Sequence, residues 1–123
     1  MSQENKNLLI RTYEFASSVL IISTSLPQGL EIGVIKRQLV RAATSVGANY
    51  RAACRAKSKK DFISKLSLVE EEADECTYWI SLLEKMGQEG KEMECLKNEA
   101  GEIVAMVVAS KKNRHEKFKL PFL

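Results

Sequence analysis

The chain has little proline, little glycine and few aromatic side chains. Two Pro and six Gly among 123 residues leave long stretches without a helix breaker, and aromatic residues make up only 7% of the sequence. Ala, Leu, Glu and Lys, which are plentiful instead, are strong helix formers. The composition therefore predicts an all-α protein, and the length predicts a single domain.

Long apolar runs are missing as well. The run Val19-Leu20-Ile21-Ile22 is far shorter than the roughly 20 residues that a membrane-spanning helix needs. The first seven residues are polar and do not lead into the apolar segment that a secretion signal requires. We therefore expect a cytoplasmic protein with no membrane partner.

Cysteine and histidine are too few and too scattered to form a metal or redox motif. Cys54, Cys76 and Cys95 lie at least 19 residues apart, so no Cys-x-x-Cys pair exists, and we expect buried thiols in a reducing compartment. The only histidine is His115, and the Glu-x-x-His pairs of di-iron bundles are absent. The sequence predicts no metal, no cofactor and no catalytic residue, and hence no enzyme.

Apolar residues recur every three or four positions in four stretches, as they do in amphipathic helices. These stretches cover about residues 5–25, 30–55, 58–86 and 91–113. Turn-forming residues separate them, and Ser58 with Asp61 resembles the capping box that begins a helix. Short connections between four such helices predict an up-down-up-down four-helix bundle over residues 1–113. Residues 114–123 form a basic, semi-apolar tail that breaks at Pro121.

The spacing also predicts which side chains form the core. In the second stretch they are Ile32, Ile35, Leu39, Ala42, Val46, Asn49 and Ala53. In the third and fourth they are Phe62, Leu66, Val69, Ala73, Cys76, Ile80 and Leu83, followed by Met93, Leu96, Ala100, Ile103 and Val107. A buried Asn49 would fix register or oligomeric state, and the small residues around Gly47 would let a neighbouring helix approach closely.

Two helices carry more apolar surface than one core can cover. In the first stretch Leu8, Phe15, Val19 and Ile22 mark one face, and Leu9, Tyr13, Leu20 and Ile21 widen it. In the third stretch a second apolar edge runs along Leu68, Trp79 and Leu82. A helix that is apolar on more than one side needs a further partner, so the pattern predicts a homo-oligomer.

The charge is divided along the sequence. Residues 36–65 carry nine Lys or Arg and one Asp, a net charge of +8, and residues 66–102 carry eleven Asp or Glu and three Lys, a net charge of −8. Cations of this density attract phosphate backbones. The candidate nucleic-acid-binding residues, at the corner of the second and third helices, are Lys36, Arg37, Arg41, Arg51, Arg55, Lys57, Lys59, Lys60 and Lys65. The tail adds Lys111, Lys112, Arg114, Lys117 and Lys119, interleaved with Phe118 and Phe122.

Two carboxylates lie on the apolar edge of the third helix and need cations there. Glu72 and Glu75 would be partly desolvated beside Trp79. The expected partners of these carboxylates are the guanidinium groups of Arg41, Arg51 or Arg55, which can bind a carboxylate through two hydrogen bonds, within one subunit or between subunits. The candidate interface or polar network comprises Ser45, Asn49, Leu68, Glu72, Glu75, Tyr78, Trp79 and Leu82.

Three segments together resemble a known family. They are Arg37-Gln38-Leu39-Val40-Arg41-Ala42-Ala43-Thr44-Ser45-Val46-Gly47-Ala48-Asn49-Tyr50-Arg51, then Arg55-Ala56-Lys57-Ser58-Lys59-Lys60-Asp61-Phe62, then Glu72-Ala73-Asp74-Glu75-Cys76-Thr77-Tyr78-Trp79. This combination resembles the bacterial four helix bundle protein family, also called the ribosomal RNA intervening-sequence protein family. The characteristic positions are Ser45, Asn49, Arg55, Phe62, Glu72, Asp74, Glu75 and Tyr78, and Ala52 stands where the family commonly has Glu.

The resemblance implies a bundle that assembles as a ring-like homopentamer. It further implies kinship with the accessory variability protein of diversity-generating retroelements, which binds nucleic acid and a reverse transcriptase. We therefore expect a non-enzymatic oligomer that docks RNA or DNA through its basic surface. The rival interpretation is a structural or docking subunit for a co-encoded protein, with no nucleic-acid binding.

Overall fold

Four helices account for nearly all of the chain in the computed structural model, which describes the backbone of residues 3–119 and the side chains of residue 3 and residues 6–113. The helices are α1 (Gln3–Ser23), α2 (Leu30–Cys54), α3 (Lys59–Lys85) and α4 (Lys91–Lys119). Each helix packs against two others, in the order α1, α2, α3, α4 and back to α1. Connections of four to six residues make neighbouring helices antiparallel. The prediction of an all-α four-helix bundle is confirmed.

Local sequence explains where the helices begin and end. The Ser58 hydroxyl accepts a hydrogen bond from the backbone N–H of Asp61 at 3.0 Å, which caps the start of α3 as predicted. Gly87 follows the end of α3 with φ +91°, and the next N–H donates to the Leu83 carbonyl at 2.9 Å. That pair of features is the usual glycine stop of a helix.

All the core positions predicted for α3 and α4 are buried. In α2 one of the predicted core positions is wrong. Asn49 is only half-buried, and Tyr50 is fully buried in its place. Burying an aromatic ring removes far more apolar surface from water than burying an amide. The amide of Asn49 stays partly exposed and can hydrogen-bond to the backbone of α2.

α1 fills its core face in a way that the apolar pattern does not show. Leu8, Phe15 and Val19 are buried, and Thr12 is buried between them. Its hydroxyl donates to the Leu8 carbonyl at 2.7 Å, which satisfies the oxygen inside the helix. The small residues of α2 face this part of α1: a Cβ atom placed on Gly47 would lie 3.4 Å from the Thr12 carbonyl oxygen.

α1 and α4 share the least packing of the neighbouring pairs. A single arginine joins them. Arg11 donates from Nε and Nη2 to the two carboxylate oxygens of Glu99, at 2.9 and 2.7 Å, and Nη2 also reaches Glu102 at 3.2 Å. These hydrogen bonds raise the pKa of Arg11, which stays charged. A bidentate fork of this kind fixes orientation as well as distance.

α4 is longer than the sequence predicts. It continues to Lys119, six residues past the expected end at 113, so the start of the predicted tail continues the helix. The side chains of residues 114–119 and all of residues 120–123, which include Pro121 and Phe122, lie outside the described part of the chain. The predicted role of the tail therefore stays a prediction.

Replacing Gly101 by Ala should stabilise the bundle. Gly101 is exposed within α4, and a Cβ atom there would meet nothing within 4 Å. Alanine in a helix is favoured over glycine by about 0.5–1 kcal/mol, so urea denaturation at fixed protein concentration should show that gain for Gly101→Ala.

Gly29→Ala is the matched control with the opposite sign. Gly29 precedes α2 with φ +140°, a backbone conformation that is strained for any residue with a side chain. The space around Gly29 is as open as that around Gly101. A loss of stability for Gly101→Ala would contradict the packing described for α4.

Candidate functional site

Antiparallel packing brings three separate parts of the chain to one end of the bundle. These parts are the start of α1, the α2–α3 connection and the last turns of α4. The first two carry exposed cations. This region, termed here the basic end, comprises Lys6, Arg51, Arg55, Lys57 and Lys60. Among the side chains that the structure describes, none of these five lies within 4.0 Å of a carboxylate.

The opposite end of the bundle is rich in acid. The end of α3, the α3–α4 connection and the start of α4 meet there, with Glu31 of α2 close by in the same layer. Its acids are Glu31, Glu84, Glu89, Glu92 and Glu94, against Lys85 and Lys91. The charge inversion along the sequence has therefore become a separation of charge along the long axis of the bundle.

The nine cations predicted to form one cluster do not all lie together. Lys36 and Arg37 lie near the start of α2, about 25 Å from the α2–α3 connection at about 1.5 Å per residue. Arg41 is neutralised by two carboxylates, and Lys65 lies 3.6 Å from Asp61. The prediction of a single cluster is wrong because about two thirds of the length of α2 separates its members. Arg51, Arg55, Lys57 and Lys60 remain together, and the half-buried Lys59 lies between them.

One further cation joins that group from a distant part of the sequence. Lys6 of α1 was missed, because only the antiparallel topology brings the start of α1 beside the α2–α3 connection. Lys112 of α4 is also exposed but lies farther along the bundle. Its neighbour Lys111 pairs with Glu70, well inside α3, with 2.6 Å between Nζ and Oε1.

Arg41 holds a polar network between α2 and α3. Its Nη1 atom donates to Glu72 at 2.8 Å and its Nη2 atom donates to Glu75 at 2.6 Å. The indole N–H of Trp79 donates to the same Glu75 oxygen at 3.0 Å. The hydrogen bond from Arg41, followed by that from Trp79, lowers the pKa of Glu75 below its ordinary value of 4.5.

The other members predicted for this network do not join it. Arg51 and Arg55, the alternative cation donors, lie at the basic end instead. Asn49 donates from its side chain to the Ser45 carbonyl at 3.0 Å, and so stays within α2. Tyr78 packs edge-on against Trp79, with ring centroids 4.9 Å apart.

Apolar side chains remain exposed on two faces of the bundle. The first face is formed by α1 and α2, where Ile10, Tyr13 and Ile21 are more than half exposed. A groove of about 630 Å³ opens between the two helices beside Tyr13, with Gly47 and Ala48 among its lining and Arg51 at its edge. The second face lies on α3, where Leu68, Tyr78 and Met86 are exposed and Trp79 and Leu82 are half-buried.

The three cysteines occupy different environments, so the prediction of three buried thiols is wrong. Cys76 is buried, Cys54 is half-buried beside the groove, and Cys95 is exposed on α4. Burial raises the pKa of Cys76 to about 12, which keeps this thiol protonated and unreactive. An exposed position for Cys95 follows from its place one residue before the buried Leu96.

Neither a metal cluster nor a membrane-spanning helix is found in the described part of the chain. Within those residues, no group of three or more His, Cys, Asp or Glu side chains is arranged to hold a metal ion. None of the helices, as far as the structure describes them, is long and apolar enough to cross a membrane.

Replacing Glu75 by Gln should weaken folding in a pH-dependent way. Because the pKa of Glu75 is lowered in the folded chain, its carboxylate stabilises the fold above about pH 4.5, and this contribution is lost as the pH falls further. Partly exposed ion pairs contribute about 0.2–1 kcal/mol. Glu75→Gln should therefore be less stable than the wild type by about that amount at neutral pH, and the gap should be smaller at about pH 3.

Urea denaturation followed by the fluorescence of Trp79, the only tryptophan, measures this difference. Glu89→Gln is the control, because Glu89 is exposed and has no ion-pair partner among the described side chains. An equal stability gap for Glu75→Gln at both pH values would show that the charge of Glu75 is not what stabilises the network.

Comparisons with known proteins place this bundle in a family. A family model described as 23S rRNA-intervening sequence protein matches residues 4–109. A crystal structure from Bacteroides thetaiotaomicron VPI-5482, of a protein of unknown function from the S23 ribosomal protein family, is 31% identical with a TM-score of 0.82. That match covers 89% of this chain and 99% of the other. No curated protein matches. The four-helix bundle with its charged end is therefore a member of the 23S rRNA-intervening sequence protein family.

Proposed function

We propose that this protein is a non-enzymatic, self-assembling bundle that binds the phosphate backbone of nucleic acid through its basic end. The observation that carries the proposal is the meeting of five exposed cations, from the start of α1 and from the α2–α3 corner, with no carboxylate within 4.0 Å of them among the described side chains. Each unpaired Lys or Arg can replace a counterion on a phosphate, and this release of counterions drives non-specific binding.

The distribution of ion pairs supports the basic end over the rest of the surface. Arg11, Arg41, Lys65, Lys97 and Lys111 all have carboxylate partners. Their charge is therefore neutralised within the fold, whereas that of the basic end faces solvent. The acidic end would repel phosphates, so the molecule should approach nucleic acid in one orientation.

Self-assembly would raise the affinity of the basic end for nucleic acid. The exposed apolar side chains of α1 and α3 favour association between copies, as they would otherwise remain in water. Copies arranged with their basic ends on one side would present several patches to one strand, and linked weak contacts strengthen one another. The ring of five subunits comes from the family resemblance. The family's description refers to the 23S rRNA, so RNA is the first probe to use.

Removing two charges from the basic end should weaken RNA binding. The variant Lys57→Gln/Lys60→Gln changes exposed residues at the α2–α3 corner. Fluorescence anisotropy with a labelled RNA hairpin at about 50 and 200 mM salt should show salt-sensitive binding by the wild type. The variant's salt slope should be smaller by about 1 for each phosphate that it no longer neutralises.

Lys85→Gln/Lys91→Gln is the matched control, because it removes the same charge from the acidic end. Its affinity should equal that of the wild type. Equal losses in both variants would mean that net charge alone matters, and the absence of binding by the wild type at micromolar protein would favour a docking subunit for another protein.

The protein should also form a defined oligomer. Size-exclusion chromatography with light scattering, at low micromolar protein and without RNA, should give a mass several times the 13.8 kDa of one chain. A stable monomer under these conditions would overturn the self-assembly part of the proposal.

A further inference from the structure

Two exposed faces of the bundle complement one another in charge. The first, termed the α1–α2 face, carries Tyr13 and Ile21 of α1 with Val34 and Arg37 of α2. The second, termed the α3 face, carries Leu68, Glu71, Asp74 and Tyr78. All of these side chains are exposed. Arg37, Glu71 and Asp74 have no oppositely charged group within 4.0 Å among the side chains that the structure describes.

The two faces also match in level along the bundle axis. Counted from the basic end at about 1.5 Å per residue, Tyr13 and Leu68 both lie at about 14–15 Å. Ile21, Val34 and Tyr78 lie at about 27–30 Å by the same count. Arg37, at about 26 Å, is closest in level to Asp74, at about 23 Å. Two copies side by side and parallel would therefore oppose apolar to apolar side chains, and unlike charges to each other.

Pairing of a face with itself would be unfavourable. Two parallel α1–α2 faces together would bring the Arg37 side chains of both copies close, with Glu14 at the groove the nearest acid of that face, and two α3 faces would do the same with Glu71 and Asp74. Like charges juxtaposed across an interface cost free energy and act against the wrong partner. The pairing of unlike faces avoids this repulsion.

We propose that the α3 face of one copy docks on the α1–α2 face of the next, with Leu68 beside Tyr13 at the groove and Asp74 opposite Arg37. This inference rests on the self-assembly proposed above and adds the two surfaces that carry it. The contact is head-to-tail, so each copy uses both faces and can bind two neighbours. Because the copies are parallel, every basic end lies on the same side of the assembly.

Blocking one face at a time provides the test. Tyr13→Glu puts a charge on the α1–α2 face, and Tyr78→Glu puts one on the α3 face. These tyrosines are 68% and 57% exposed, so a single folded chain should tolerate both changes, which circular dichroism would verify. Each variant alone should be smaller than the wild type by light scattering, at concentrations where the wild type assembles.

Mixing the two variants in equal amounts is the decisive step. One intact pair of faces remains between a Tyr13→Glu chain and a Tyr78→Glu chain, so the mixture should form a dimer of twice the single-chain mass and nothing larger. Val108→Glu is the matched control, because Val108 is 44% exposed on α4, away from both faces. It should assemble as the wild type does.

The outcomes separate this inference from the one on which it rests. A monomeric wild type would overturn self-assembly itself. If the wild type assembles but either variant still forms the full oligomer, or the mixed variants stay monomeric, the pairing of these two faces is wrong while self-assembly stands.

A charge exchange gives an independent check. Arg37→Asp should weaken assembly at least tenfold, and adding Asp74→Arg to the same chain should recover most of that loss, since the pair is then restored with its signs reversed. No recovery in the double variant would overturn the proposed contact between these two residues.

Discussion

The packing of α2 against α3 is the contact on which the rest of the molecule depends. It is the most extensive contact between two helices of the bundle, and both helices carry small buried side chains, among them Ala42 and Ala53 of α2 and Ala73 of α3. Across this boundary Arg41 reaches Glu72 and Glu75. The same packing fixes the tight α2–α3 connection that Ser58 caps, and so sets the position of the cations around it.

Topology decides how charge in the sequence becomes charge on the surface. In a single long helix the basic and acidic segments would lie in succession. In an antiparallel bundle the chain reverses at each connection, so residues far apart in sequence, such as Lys6 and Lys57, meet at one end. Ion pairs then remove the charge of cations in the middle of the bundle, such as Arg41. Of the cations that stay unpaired among the described side chains, Lys6, Arg51, Arg55, Lys57 and Lys60 share one end, whereas Lys85 and Lys91 lie among the acids of the other.

Periodicity predicted the architecture and most of the core, because burial against a neighbour demands the same spacing that a helix provides. It failed where two neighbouring positions compete for one core site. At Asn49 and Tyr50 the alternation of three and four residues favoured the amide, whereas the larger ring gains more from burial. Thr12 was missed for a related reason, since a hydroxyl that bonds its own helix occupies a core position as readily as an apolar group.

The candidate site was less predictable than the fold. Sequence proximity grouped Lys36 with Lys57, yet residues 36 and 54 lie at opposite ends of one helix. The sequence offered three arginines as partners of Glu72 and Glu75. Arg41 is the partner because it lies at the same height along the bundle axis as these two carboxylates. Cys95 was expected inside because cysteine is commonly buried. Its neighbour Leu96 holds the inward position instead.

The thin contact between α1 and α4 has a consequence for how the chain is made. Because α4 follows the other three helices along the chain, its boundary with α1 cannot form until α4 has been made. α2 and α3, joined by four residues, can pair much earlier, since closing a short loop costs little entropy. The bidentate pair of Arg11 and Glu99 therefore joins the boundary between neighbouring helices that forms last and packs least.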